Sequence, residues 1–109
     1  MNDSITRIEL EFERAAQARS NGNEGQARVC ARRAAGIAIR DHFKRRGVHP
    51  PSTSAYDLLI FIKEDPLLPP DLKRVADHLT LRVTEEFNLP VNTDLVSDAR
   101  LLCEWLLNH

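Results

Sequence analysis

Residues 23–46 read NEGQARVCARRAAGIAIRDHFKRR, and the reading of this stretch decides the fold. Ala27, Ala31, Ala34, Ala35 and Ala38 recur at three- and four-residue spacing, which places them along one side of a helix. Alanine is the strongest helix former, and its short side chain lets a second helix approach closely. Arg28, Arg32, Arg33, Arg40, Lys44, Arg45 and Arg46 share the stretch, with Asp41 the only acid after Glu24. Guanidinium groups are planar donors that match phosphate or carboxylate. The stretch therefore predicts a packing spine that also carries a cationic surface.

Both ends of this helix are marked. Asn23 and Gln26 have capping-box spacing, and Gly47 followed by Pro50-Pro51 stops the run. Upstream, Ile5, Ile8, Phe12, Ala15 and Ala16 predict a helix capped by Asp3 or Ser4 and closed by Ser20-Asn21-Gly22. Downstream, Ser54 and Asp57 again have capping-box spacing ahead of the apolar run YDLLIFI at 56–62. A run this short also fits a buried strand, because periodicity does not separate the two cases. With no pairing partner elsewhere and a cap in front, a helix is expected.

The connector DPLLPP at 65–70 leads into a fourth helix, for which Pro70 suits the first turn. That helix carries Leu72, Val75, Ala76, Leu79, Val83 and Phe87 on one stripe. A loop at 88–94 precedes a last helix with Val96, Ala99, Leu102, Cys103, Leu106 and Leu107 facing inward. The expected architecture is all-α: a single domain over residues 1–109, an antiparallel up-and-down bundle of about five helices.

Hydrophobic content of 42% with 28% charged residues is that of a folded globular chain. The formal net charge of −1 conceals an asymmetry. Residues 28–46 hold seven basic and one acidic side chain, and the remainder holds eight basic and fifteen acidic. Such a dipolar molecule suits a local anion site or a self-complementary assembly better than general coating of nucleic acid. Cys30 and Cys103 fall on faces expected to be buried and read as reduced core thiols. The polar start MNDS and the shortness of every apolar run predict a cytoplasmic protein with no membrane segment.

The order and texture of these segments resemble the HEPN domain, a helical-bundle family. The resemblance rests on FERAAQARSNGNEGQARVCARRAAGIAIRDHFKRRG at 12–47, PPSTSAYDLLIFI at 50–62, LKRVADHLTLRVTEEFNLP at 72–90 and SDARLLCEWLL at 97–107. It implies a homodimer that binds a nucleotide, RNA or a partner protein, and a partnership with a minimal nucleotidyltransferase in a toxin–antitoxin pair. Tyr56 stands where many members place a histidine, and Phe87-Asn88-Leu89-Pro90 where an Arg-Tyr-Pro stretch often follows the fourth helix. Ribonuclease members carry an arginine followed, after four to six residues, by a histidine, and none of the four histidines here has that spacing.

Arg74 and His78, four residues apart, share a helix face and would suit a diverged metal-independent ribonuclease: one holds phosphate, the other moves a proton. A solvated face, or a histidine bonded to Asp77 or Asp71, explains the pair as well. His42 and His49 flank the basic end of the second helix and read as surface histidines favoured by the helix dipole. Arg33, Arg40 and Lys44 fall on one stripe and are the candidate anion ligands. Their competing reading is salt bridging to Glu9, Glu11 and Glu13 or to the acidic C-terminal half, as in a pure interaction scaffold. Leu67, Leu68, Leu81 and Leu89 lie off the stripes and are expected to leave apolar surface for an interface. No phosphate loop, nucleophile elbow, Cys/His metal cluster or cofactor motif occurs in the sequence.

Overall fold

Three of the helices begin where a side chain accepts from a free backbone amide, while the fourth in chain order opens on Pro69-Pro70 with no side-chain cap. Asn23 accepts from the Gln26 amide at 3.0 Å, and Ser54 from the Asp57 amide at 3.4 Å. Asp94 accepts from the Val96 and Ser97 amides, both at 3.2 Å, a cap that the sequence reading placed within a loop. The computed structural model describes residues 3–50, 52–81 and 94–109. The helices are α1 (Asp3–Ser20), α2 (Glu24–Arg45), α3 (Ala55–Ile62), α4 (Pro70–Leu79) and α5 (Leu95–Asn108). The run at 56–62 is thus helical, and the described residues contain no strand.

The α1–α2 turn is tight. Gly22 takes φ +76°, a conformation that L side chains rarely adopt, and the Asn23 amide donates back to the Ala18 carbonyl at 2.7 Å. Contacts at both ends fix the direction of α5. Arg19 at the end of α1 reaches Asp94 at 3.0 Å, while Arg45 at the end of α2 donates to the Leu106 carbonyl at 2.6 Å. Consequently α1 runs antiparallel to both α2 and α5, and α2 and α5 run in the same direction. Arg100 on α5 lies 4.3 Å from the centre of the Phe12 ring on α1, a cation–π contact that pins the same pair at mid-height.

The alanine seam is the inner face of α2. Ala27, Ala31, Ala34, Ala35 and Ala38 have no solvent exposure, and α1, α3 and α5 all pack on this helix. Ile39, Leu58, Leu59, Ile62, Leu79, Leu102 and Leu106 complete the main core. Gly36 continues the seam toward α3: a Cβ added there would stand 3.0 Å from the Ala55 Cβ and 3.2 Å from its Cα. Ala15, Ala27 and the Cys30 thiol form a smaller cluster at the other end.

Several expected positions move. On α1 the buried stripe is Ile8, Glu11, Phe12 and Ala15, while Ile5 and Ala16 are exposed. Leu68 is a core residue rather than exposed loop surface, although its neighbour Leu67 is 65% exposed. The fourth helix ends at Leu79, with Thr80 and Leu81 already outside it. There the Thr80 hydroxyl donates to the Ala76 and Asp77 carbonyls, and Arg32 donates to the Leu79 and Leu81 carbonyls at 2.6 and 3.3 Å. Val83, Glu85, Glu86, Phe87, Leu89 and Pro90 lie outside the described residues. Among the described residues no helix is long and apolar enough to cross a membrane.

Two predictions follow from this packing. Gly36→Val drives a branched side chain into the Ala55 backbone and should lower stability by about 1–3 kcal/mol in thermal melts; an unchanged Tm would show that α3 gives way freely. Asp94 is held down to about 2, chiefly by hydrogen bonds from Arg19. A depressed carboxyl contributes stability above its unfolded pKa, about 3.9, that is lost as pH falls through the folded value. Asp94→Asn keeps a good N-cap without the charge, so it should flatten the loss of stability between about pH 4 and pH 2.

Candidate functional site

Six of the seven cations at 28–46 divide into two groups, and Arg28, half-buried and lining neither of the two clefts that border α2, belongs to neither. Arg32 closes the C-terminus of α4, and Arg45 binds both Asp41 at 2.8 Å and the Leu106 carbonyl at the end of α5. Arg46 reaches Asp65 in the α3–α4 connector at 2.9 Å. These three are structural, and two of them bind helix-end carbonyls, which carry the negative pole of the helix dipole. Arg33, Arg40 and Lys44 are exposed and have no ion pair among the described residues. The rival pairing with α1 acids is not what these residues do, since Glu11 pairs with Arg14 at 2.7 Å and Glu9 lies 3.8 Å from Arg100.

The three free cations line one continuous surface feature. A cleft of about 460 Å³ lies between the start of α1, the second half of α2 and the 47–53 segment, with Arg7, Arg40, Lys44, His49 and Thr53 among its walls. An adjoining cleft of about 350 Å³ runs between α1 and α2, walled by Arg7, Glu11, Arg14, Arg33 and Arg40. Arg7, Ile37, Arg40 and Thr53 belong to both. The helix spacing explains the convergence: Arg33, Arg40 and Lys44 follow each other by seven and four residues, so they stay on the α2 side that faces α1 and the 47–53 segment. The two acids in the walls are already engaged, Asp41 by Arg45 and Glu11 by Arg14. The groove is therefore a net cationic trough of ligand size, open to solvent and furnished with hydroxyls.

The catalytic candidates are not part of it. Arg74 is exposed and His78 half-buried on α4, they make no side-chain hydrogen bond with each other, and neither lines either cleft. His42 corrects the expectation of a surface histidine, being 1% exposed. It follows Ala35, Ala38 and Ile39 on the core face of α2, a register that could have been read from the sequence. Arg46 donates to its Nε2 at 3.1 Å, Asp65 Oδ2 lies 3.6 Å away, and Nδ1 has no hydrogen-bond partner in the structure. Burial holds its pKa below the usual histidine value despite the neighbouring Asp65 carboxylate.

Cys30 and Cys103 are buried free thiols, and burial pushes Cys103 up to about 12, so it is protonated and inert. No group of three metal-ligating side chains occurs among the described residues.

Because burial lowers the His42 pKa in the fold, the unfolded chain takes up a proton near pH 6.5 more readily than the folded chain does. Stability should be full above that pH and decline as pH falls below it, and His42→Gln should remove this slope in denaturant titrations. An identical slope in the variant would place the titrating group elsewhere. In comparisons with known proteins the chain matches no family model, no curated protein and no solved structure.

Proposed function

We propose that this chain is a non-catalytic, HEPN-like binding domain that holds the phosphates of a nucleotide in the groove between α1 and α2. The observation that carries this reading is the splitting of the α2 cations. Arg32, Arg45 and Arg46 are engaged by helix ends or carboxylates of the chain itself, whereas Arg33, Arg40 and Lys44 line a trough together with Arg7 and make no ion pair among the described residues. Four like charges held near one another are unfavourable until an anion arrives, so the free protein is poised to bind one. Arginine adds bidentate geometry that suits phosphate oxygens. The homodimer and the nucleotidyltransferase partner of a toxin–antitoxin pair belong to the same proposal; both rest on the resemblance to HEPN domains, and the homodimer also on exposed apolar surface such as Leu67.

Calorimetric titration with ATP tests it, since Arg40 walls both clefts. Arg40→Ala should weaken binding at least tenfold at low salt, and the difference from wild type should narrow as added salt screens the lost charge. Arg74→Ala should leave the affinity unchanged. Equal affinity of wild type and Arg40→Ala would remove the site, and tighter binding of a short RNA than of ATP would replace the nucleotide with a strand.

A further inference from the structure

Glu11 is the one acid on the buried stripe of α1, and its place there needs a reason. It is 6% exposed, and its Oε1 accepts from Arg14 at 2.7 Å. Its Oε2 is sealed from solvent and has no hydrogen-bond partner in the structure. A buried carboxylate oxygen without a donor is costly, and an apolar or small residue at that position would pack beside Ile8 and Phe12 at no such cost. The same side chain walls the groove, beside Arg33 and Arg40. Arg14, which binds the other carboxylate oxygen, is itself 55% exposed along its side chain and walls the same cleft. It is a movable partner, held on an exposed helix flank.

We infer that Glu11 is the hydroxyl-recognising group of this groove, accepting hydrogen bonds from a vicinal diol while the free arginines hold a phosphate on the same molecule. The inference rests on the phosphate reading above and deepens it by naming the ligand class, a phosphorylated polyol of the ribonucleotide type. An acceptor-only carboxylate set among cations selects a molecule that is both anionic and a donor. Carboxylates that accept from ribose hydroxyls beside a phosphate site are a recurring solution to this problem. The hydroxyls reach Glu11 as Arg14 swings toward solvent, so the exchange leaves the carboxylate with donors and frees Arg14 for the phosphates. The two clefts together have room for such a ligand, about 350 Å³ beside Glu11 and about 460 Å³ toward Lys44.

The test compares ATP, 2′,3′-dideoxy-ATP and ribose 5-phosphate by calorimetry on the full chain, in wild type and in Glu11→Met. Wild type should bind ATP about tenfold or more tightly than the dideoxy analogue, and Glu11→Met should bind the two within about twofold of each other. A Glu11 dependence of ribose 5-phosphate equal to that of ATP would place the recognition in the sugar and phosphate, as inferred. The ligand-free Glu11→Met protein should melt no lower than wild type, because it loses an unsatisfied buried acid. Equal binding of ATP and dideoxy-ATP by wild type would overturn the role of Glu11 and leave the phosphate reading standing. Failure of all three ligands to bind would overturn both. A discrimination that survives in Glu11→Met, or a fall of several degrees in its Tm, would mark Glu11 as a structural carboxylate.

Discussion

The close approach of helices along the small-residue face of α2 is the constraint on which the other features depend. Five fully buried alanines and Gly36 leave so little volume on that face that α1, α3 and α5 lie directly against its backbone. A helix surrounded in this way has only its flanks left for long side chains. The arginines project from those flanks and meet what is adjacent, either the ends of neighbouring helices or solvent. Packing thus decides the electrostatics: the same geometry that hides the alanines sorts the guanidinium groups into internal and free sets.

The internal set is used economically. Arg32 and Arg45 close helix ends whose last carbonyls would otherwise depend on water, and each does so across a long sequence separation. Arg46, His42 and Asp65 tie the end of α2 to the α3–α4 connector, where Asp65 also accepts from the Leu67 amide at 2.9 Å. Burial raises the Asp65 carboxyl, but that amide and Arg46 outweigh it and leave the group below the usual carboxylate range. The free set faces α1, whose own contribution to the groove includes Glu11, with one carboxylate oxygen paired to Arg14 and the other buried without a partner. The proposed ligand site rests on these unpaired cations and on this acid.

The helices were legible in the sequence because local signals agreed: Asn23, Ser54, Gly22 and Gly47 mark boundaries by their own chemistry, whatever surrounds them. The ambiguous run at 56–62 was resolved by the same logic, since Ser54 caps it. The failures were tertiary. Residues 65–70 look like a plain connector, yet Leu68 turns inward because α3 and α4 leave a core position there. Helix four looked longer than it is because its apolar spacing continues past Leu79, whereas its end is set by Thr80 and by an arginine 47 residues earlier. The stripe of Arg33, Arg40 and Lys44 was visible as periodicity, but whether it would be neutralised depended on which way Glu9 and Glu11 turned. Glu11 and His42 were readable in principle. Both sit in register with apolar neighbours, and habit assigns charged and titratable residues to the surface.

The central claim is that one named subset of guanidinium groups contacts phosphate and the other subset does not. It is tested most directly by side-chain Nε–Hε NMR of the arginines during titration with ATP. The account predicts progressive, saturable shifts for Arg7, Arg33 and Arg40, with the resonances of Arg32, Arg45 and Arg46 unmoved. Shifts spread evenly over all six, or confined to the internal three, would contradict it.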